Sequence, residues 1–221
     1  MNDYVMLALC AVVSFFLGSI PWGVLVSRIF FHKDVRDTGS GNIGFTNSMR
    51  SMGKVGGAAV FLLDFAKGFS SGILAQFVFA PAMKMDLLDF GIVGGPVEIC
   101  TAIALFAATM GHIFCPWLGF KGGKGISCAW GASFCAITPL GGIIVFLPFL
   151  LIVVLTRYVS LGSIAAAITI CFLAFVFRGN SIAAICLICI TGLVVIWAHR
   201  GNISRLLSGQ ERKISGKREE D

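Results

Sequence analysis

The sequence predicts an all-α, polytopic membrane bundle of seven transmembrane helices, one integral domain over 1–221, with the N-terminus outside and the C-terminus cytoplasmic. Composition is the first ground. Of 221 residues, 57% are hydrophobic and 13% charged, with a mean hydropathy of +0.92, and a soluble domain with so little charge would aggregate. The second ground is the length of the apolar runs, close to the roughly 20 residues that span a hydrocarbon core at about 1.5 Å each. The third is the placement of Lys and Arg, which sets orientation.

The first run, 4–31, follows Asp3 and has no Lys or Arg before Arg28, so it lacks the basic start of a signal peptide and is expected to be a retained span. Runs at 55–80 and 91–111 come next. The stretch 125–156 would be about 48 Å long as one helix, against a core of about 30 Å. "TPLGG" at 138–142 offers a break, which gives two short spans, 125–139 and 140–157. Spans at 160–178 and 180–199 complete the set, and 200–221 is a basic tail. With this parity Arg28, Lys33, Arg36, Arg50, Lys54, Lys67, Lys121, Lys124, Arg157 and the tail's Arg200, Arg205, Arg212, Lys213, Lys217 and Arg218 fall inside, leaving Lys84 and Arg178 outside. Six spans would put the tail opposite the lysine loop, against the positive-inside rule.

A net charge of +6 could suggest nucleic acid, but no basic helix with interleaved aromatics is present. Anionic headgroups and small phosphorylated ligands are better partners. The eight cysteines lie mostly in apolar runs and form no metal-ligand array with His32, His112 and His199. "CLIC" at 186–189 has redox-motif spacing, but inside an apolar helix it reads as packing. No disulfide, metal or cofactor is expected.

Three polar segments converge on the inner face. "TGSGNIGFTNSMR" (38–50) holds Ser40, Asn42, Asn47 and Arg50, a density of hydroxyls, amides and guanidinium beyond what a turn requires; such groups donate to phosphate oxygens. "GHIFCPWLGFKGGKGIS" (111–127) contains a lysine loop that fails the nucleotide P-loop pattern, since Leu118 stands where the first Gly should be and Gly125 replaces Ser/Thr. It still points to an anion, because Gly admits close backbone approach, Lys adds charge, and the loop precedes a short helix whose N-terminus favours anions. The bland alternative is a flexible basic turn. Trp117 and Phe120 read as interfacial anchors and His112 as structural. In "HRGNISRLLSGQE" (199–211), His199 and Asn202 share a helix face at i, i+3, whereas Arg205, Arg212 and Lys213 read as a tail resting on anionic lipid. Asp64 and Lys67 in "LLDFAKG" are intramembrane ionisable residues able to pair, although Lys67 could instead snorkel to the inner surface.

Together "GSIPWG", "GSGNIGFTN…R", "LLDFAKG", "GH.F..WLGFKGGKG" and "HRGNI.RL..G.E" closely resemble the bacterial acyl-phosphate:glycerol-3-phosphate acyltransferase family, from Gly18 to Glu211. The resemblance implies a seven-span enzyme of the bacterial inner membrane with a cytoplasmic active site. It implies transfer of an acyl chain from acyl phosphate to the sn-1 hydroxyl of glycerol 3-phosphate, giving lysophosphatidic acid and phosphate in the first step of phospholipid synthesis. Functional coupling to the enzyme that makes acyl phosphate is implied as well.

Carried onto this chain, the resemblance puts Ser40, Asn42, Asn47, Arg50, His199 and Asn202 on glycerol 3-phosphate. It puts Gly119, Lys121, Gly122, Gly123, Lys124, Gly125 and Ser127 on acyl phosphate, with Lys121, Lys124 and His199 catalytic and Asp64, Lys67, His112, Arg205 and Glu211 supporting. Two positions depart from the family pattern: Gly201 stands where an acidic residue is common and Phe45 where a small one is common. The alternative from another class is a phosphate or phosphoester transporter, which would place its site near the midplane between repeated halves. Here the polar segments gather at one face, and no repeat is visible.

Overall fold

The structure, a computed structural model, describes residues 2–84, 94–179 and 181–214. The first residues of the expected 91–111 span, Asn180 and the tail from 215 onward, with Lys217 and Arg218, lie outside the described residues. The helices are α1 (Asp3–Gly18), α2 (Trp22–Phe31), α3 (Phe45–Leu74), α4 (Pro96–Ile113), α5 (Ile126–Ala136), α6 (Pro139–Thr156), α7 (Val159–Phe177), α8 (Ile182–Ala198) and α9 (Arg200–Leu207). Among the described residues there is no strand.

Local chemistry sets these boundaries. Asn2 caps α1 by accepting from the Tyr4 amide, and Pro21, which has no N–H, separates α1 from α2. α2 ends at His32 in the left-handed conformation. Pro96 opens α4, where Glu98 Oε2 accepts from the Gly95 amide at 2.8 Å. Pro139 opens α6 beneath Thr138, whose hydroxyl accepts from the Gly141 amide. α3 begins ten residues before the expected 55–80 run, so part of the first polar segment is helical; Gly53 (φ 73°) marks a kink between its polar and apolar lengths.

Five helical stretches are long and apolar enough to cross a membrane: α1 with α2, α3 with its short continuation to Ala82, α4 with the turn to Leu118, α6 and α7. α8 and α9, bent by 56°, make a sixth if taken as one span. α5 falls short. Its 11 residues reach only about 16 Å, roughly half a hydrocarbon core.

Close seams hold the bundle together. A side chain at Gly68 would overlap the Cys128 carbonyl and one at Gly131 the Phe65 carbonyl, so α3 and α5 meet backbone to backbone. α1 and α4 meet likewise, Gly18 on the Ala108 backbone and Gly111 on the Phe15 carbonyl. The largest core cluster, with Leu105, Ile137, Ile170 and Ile188, joins α4, the α5 terminus, α7 and α8.

The buried end of α5 needs partners for its last carbonyls. Arg178, just past α7, supplies them: Nε donates to the Ala136 carbonyl at 2.8 Å and Nη2 to the Cys135 carbonyl at 3.1 Å, while Nη1 lies 3.7 Å from Glu98 Oε1. The guanidinium therefore acts as a C-cap delivered from another helix. Arg178→Ala is expected to lower stability in detergent by roughly 2–3 kcal/mol. Arg178→Lys should recover only part of this in the same thermal unfolding measurement, because one ammonium is a poor match for the forked contact.

Candidate active site

A cavity of about 320 Å³ lies where the three polar segments meet. Its first wall is the 39–44 loop and the start of α3. Gly39 and Gly41 adopt left-handed φ values of 62° and 67°, which only glycine adopts without cost. The buried Asn47 side chain fixes this loop, its Oδ1 accepting from the Ser40 amide at 2.9 Å and its Nδ2 donating to the Val35 carbonyl at 2.8 Å. Asn42 Oδ1 accepts from the Gly44 amide and so starts α3. Both asparagines line the cavity, yet these hydrogen bonds make them struts as much as ligands. Ser40 and Arg50 also line it; Arg50 forms no ion pair with a carboxylate among the described residues.

The second wall is the lysine loop, which folds back on the end of α4. Gly122 N–H donates to the Ile113 carbonyl at 3.0 Å and Gly123 N–H to the His112 carbonyl at 3.1 Å. These amides are thus consumed internally, contrary to the expectation that they cradle an anion. Gly119 and Lys121 are exposed, and neither they nor Gly122 and Gly123 line the cavity, whereas Lys124, Gly125 and Ser127 do. Gly125 (φ 85°) turns the chain into α5, whose first residues, Ile126 and Ser127, line the cavity; the first-turn amides of a helix have no partner within it. Lys124 Nζ donates to Asn202 Oδ1. Burial pushes its pKa down to about 8, with Glu211 opposing and Arg205 and Arg50 adding to the shift.

The third wall is the α8–α9 bend. His199 Nδ1 lies 2.8 Å from the Val195 carbonyl, which can only accept, so Nδ1 carries the proton and Nε2 is left for other contacts. Asn202 Nδ2 donates to Glu211 Oε1 at 2.6 Å, and that oxygen also accepts from Ser160 Oγ at 2.8 Å. Glu211 Oε2 accepts from Arg205 Nε at 2.8 Å. Burial raises the Glu211 pKa, but the hydrogen bonds from Asn202, Ser160 and Arg205 outweigh it and hold the carboxylate below its usual range.

Beneath the cavity sits a buried charged cluster. Lys67 Nζ lies 2.8 Å from Asp64 Oδ1 and donates to the Ile20 carbonyl at 2.8 Å, so it does not snorkel to the surface. His112 Nδ1 is 3.5 Å from the same carboxylate oxygen. Asp64 and His112 reach the cavity and Lys67 does not. Trp117 and Phe120 also stay outside it; Trp117 Nε1 donates to Ser19 Oγ at 2.8 Å.

Several lining residues went unread in the sequence. Phe61, Trp130, Val145, Phe146, Phe149 and Ala166 make one side apolar, with Trp130 stacked on Phe146 at 4.5 Å between centroids. In a chain with 20 phenylalanines, nothing marks these as different from lipid-facing ones. Ser160, Ser163, Thr46 and Phe45 also line the cavity, and so does Arg212, which the sequence suggested for a lipid-bound tail. Glu211 did carry a signal, as the sole acid between Glu98 and Glu219.

An all-helical bundle with stretches of membrane-crossing length, holding a cavity cationic on one side and aromatic on the other, defines an integral membrane protein suited to an amphipathic anion. Comparison with known proteins narrows this. Residues 8–209 match the profile of the glycerol-3-phosphate acyltransferases, and the chain belongs to that family. It is 34% identical over 206 residues to glycerol-3-phosphate acyltransferase 2 of Bacillus anthracis, covering 93% of this chain and 98% of the relative. It is also similar to the crystal structure of PlsY (YgiH), an integral membrane glycerol 3-phosphate acyltransferase, in its glycerol 3-phosphate form, with a TM-score of 0.81 at 34% identity over 95% of this chain and 96% of that one. The lysophosphatidic acid form of PlsY gives a TM-score of 0.77 at 33% identity, covering 95% of each chain.

The position of Lys124 gives a pH prediction. The ammonium is charged below about pH 8 and neutral above it, so anion affinity is present at low pH and lost as pH rises. Binding of inorganic phosphate, measured by calorimetry, should weaken about tenfold between pH 8 and 9.5. Lys124→Arg, which stays charged throughout, should flatten the profile.

Proposed function

We propose that this protein transfers a fatty acyl chain from acyl phosphate to the sn-1 hydroxyl of glycerol 3-phosphate, releasing lysophosphatidic acid and phosphate. The observation that carries this reading is the two-sided cavity. Lys124, Arg50 and the N-terminus of α5 suit phosphate groups, and the aromatic wall of Phe61, Trp130 and Phe146 suits an acyl chain. Family membership supports the acceptor, and the glycerol 3-phosphate and lysophosphatidic acid forms of PlsY agree with acceptor and product.

In this reading Ser40 and Arg50 hold the phosphate of glycerol 3-phosphate, while Lys124 and the first turn of α5 hold that of the donor. The sn-1 oxygen attacks the acyl carbonyl, the new C–O bond forms as the acyl–phosphate bond breaks, and phosphate departs with the bonding pair. An acyl phosphate is a mixed anhydride with a good leaving group, so positioning and charge stabilisation supply most of the catalysis, without an acyl-enzyme. His199 Nε2, with Nδ1 tied to the Val195 carbonyl, is placed to take the hydroxyl proton. Asn202 and Glu211 position Lys124, and the Asp64, Lys67 and His112 cluster braces the loop from below. Seven membrane helices, α5 among them although too short to cross alone, with an outside N-terminus and a cytoplasmic site in a bacterial inner membrane, complete the proposal. Its support is the gathering of the basic segments at one end of the bundle.

Purified protein in lipid, given palmitoyl phosphate and glycerol 3-phosphate, should yield lysophosphatidic acid and phosphate in equal amounts. Arg50→Ala and Lys124→Ala should each lose about 10- to 100-fold in kcat/KM. Phosphate without the lipid would mean hydrolysis and overturn the transfer. His199→Ala retaining nearly full kcat would assign the proton to a substrate phosphate oxygen instead.

A further inference from the structure

We propose that Arg212 is a second guanidinium for the phosphate of glycerol 3-phosphate, working beside Arg50 and delivered by a C-terminal strap over the cavity. The inference rests on the acyl-transfer reading above. After α9 the chain reverses at Gly209 (φ 71°), and the turn is closed by the Gln210 amide donating to the Arg205 carbonyl at 2.8 Å. The strap is then fastened on both sides of Arg212. Before it, Glu211 accepts from Ser160, Asn202 and Arg205. After it, Lys213 Nζ stands 5.4 Å from the centroid of the Tyr158 ring, and the Ile214 amide donates to the Arg157 carbonyl at 2.8 Å. A tail that only rested on anionic lipid would need none of these attachments to the protein.

Arg212 itself lines the same cavity as Arg50 and is exposed, with no ion pair among the described residues. Arg212 and Arg205 both lie near enough to Arg50 for their like charges to act on it, and the Glu211 carboxylate acts on it in the opposite sense. Arg205 already occupies that carboxylate. The remaining positive charge on Arg50 and Arg212 favours a dianion between them, and paired guanidinium forks suit phosphate oxygens. Fastening the strap beforehand reduces the ordering cost when the anion binds.

The test varies each substrate separately in the acyl-transfer assay for wild type, Arg212→Gln and Arg212→Lys. The expected result for Arg212→Gln is a KM for glycerol 3-phosphate raised about tenfold, with kcat and the KM for palmitoyl phosphate within about twofold. Arg212→Lys should fall between, since it keeps charge and loses the fork. An unchanged KM for glycerol 3-phosphate, with wild type active, overturns the role of Arg212 and leaves acyl transfer standing. Both KM values rising together, with a lowered unfolding temperature, also overturns it, because the residue then only holds the strap. A wild type that forms no lysophosphatidic acid overturns both readings at once.

Discussion

A helix that stops inside an apolar bundle exposes unpaired backbone groups at its end, and this constraint governs α5 and through it the whole molecule. At one end Ile126 and Ser127, whose amides have no acceptor within the helix, line the cavity beside Lys124. At the other end the free carbonyls would be costly, and Arg178 reaches over to accept that burden. The short helix is possible only because both of its ends are answered by charge, one by cationic surroundings that call for an anion and one by a guanidinium. The seam with α3 then fixes its height, with glycines on each side allowing no slack in the approach.

The same economy appears around Asp64. A lone carboxylate at that depth would cost several kcal/mol, and Lys67 and His112 share it between them. Because the His112 carbonyl receives the Gly123 amide, and Gly123 packs on the His112 ring, the cluster also determines where the lysine loop can lie. Charge burial, loop position and Lys124 placement are therefore one problem with one solution. On the far side of the cavity Glu211 plays the matching part, gathering Ser160, Asn202 and Arg205 about a single carboxylate.

Much of this was legible from the chain. Apolar run length pointed to a bundle of long apolar helices, and "TPLGG" marked the gap between α5 and α6, centred on Ile137 and Thr138. The three polar segments do meet at one cavity, the first at the start of α3, the second between α4 and α5, and the third just past α8. What could not be read was anything set by neighbours distant in sequence. Glycine amides look open until the carbonyls of residues 112 and 113 fold over them. Lys67 looks able to snorkel until the Ile20 carbonyl is found above it. Phe146 looks like any lipid-facing aromatic until Trp130 is found stacked against it, and Arg212 looks like tail charge until Glu211 pins its neighbour.

The strap also has a consequence for how the protein is made. Residues 209–214, which bring Glu211 and Arg212 to the cavity, hold on to residues made well before them, Arg157, Tyr158 and Ser160 at the head of α7 among these. The chain is made from its N-terminus, so α1 to α8 precede the strap, and the helices that carry most of the cavity exist before Glu211 and Arg212 can join its lining.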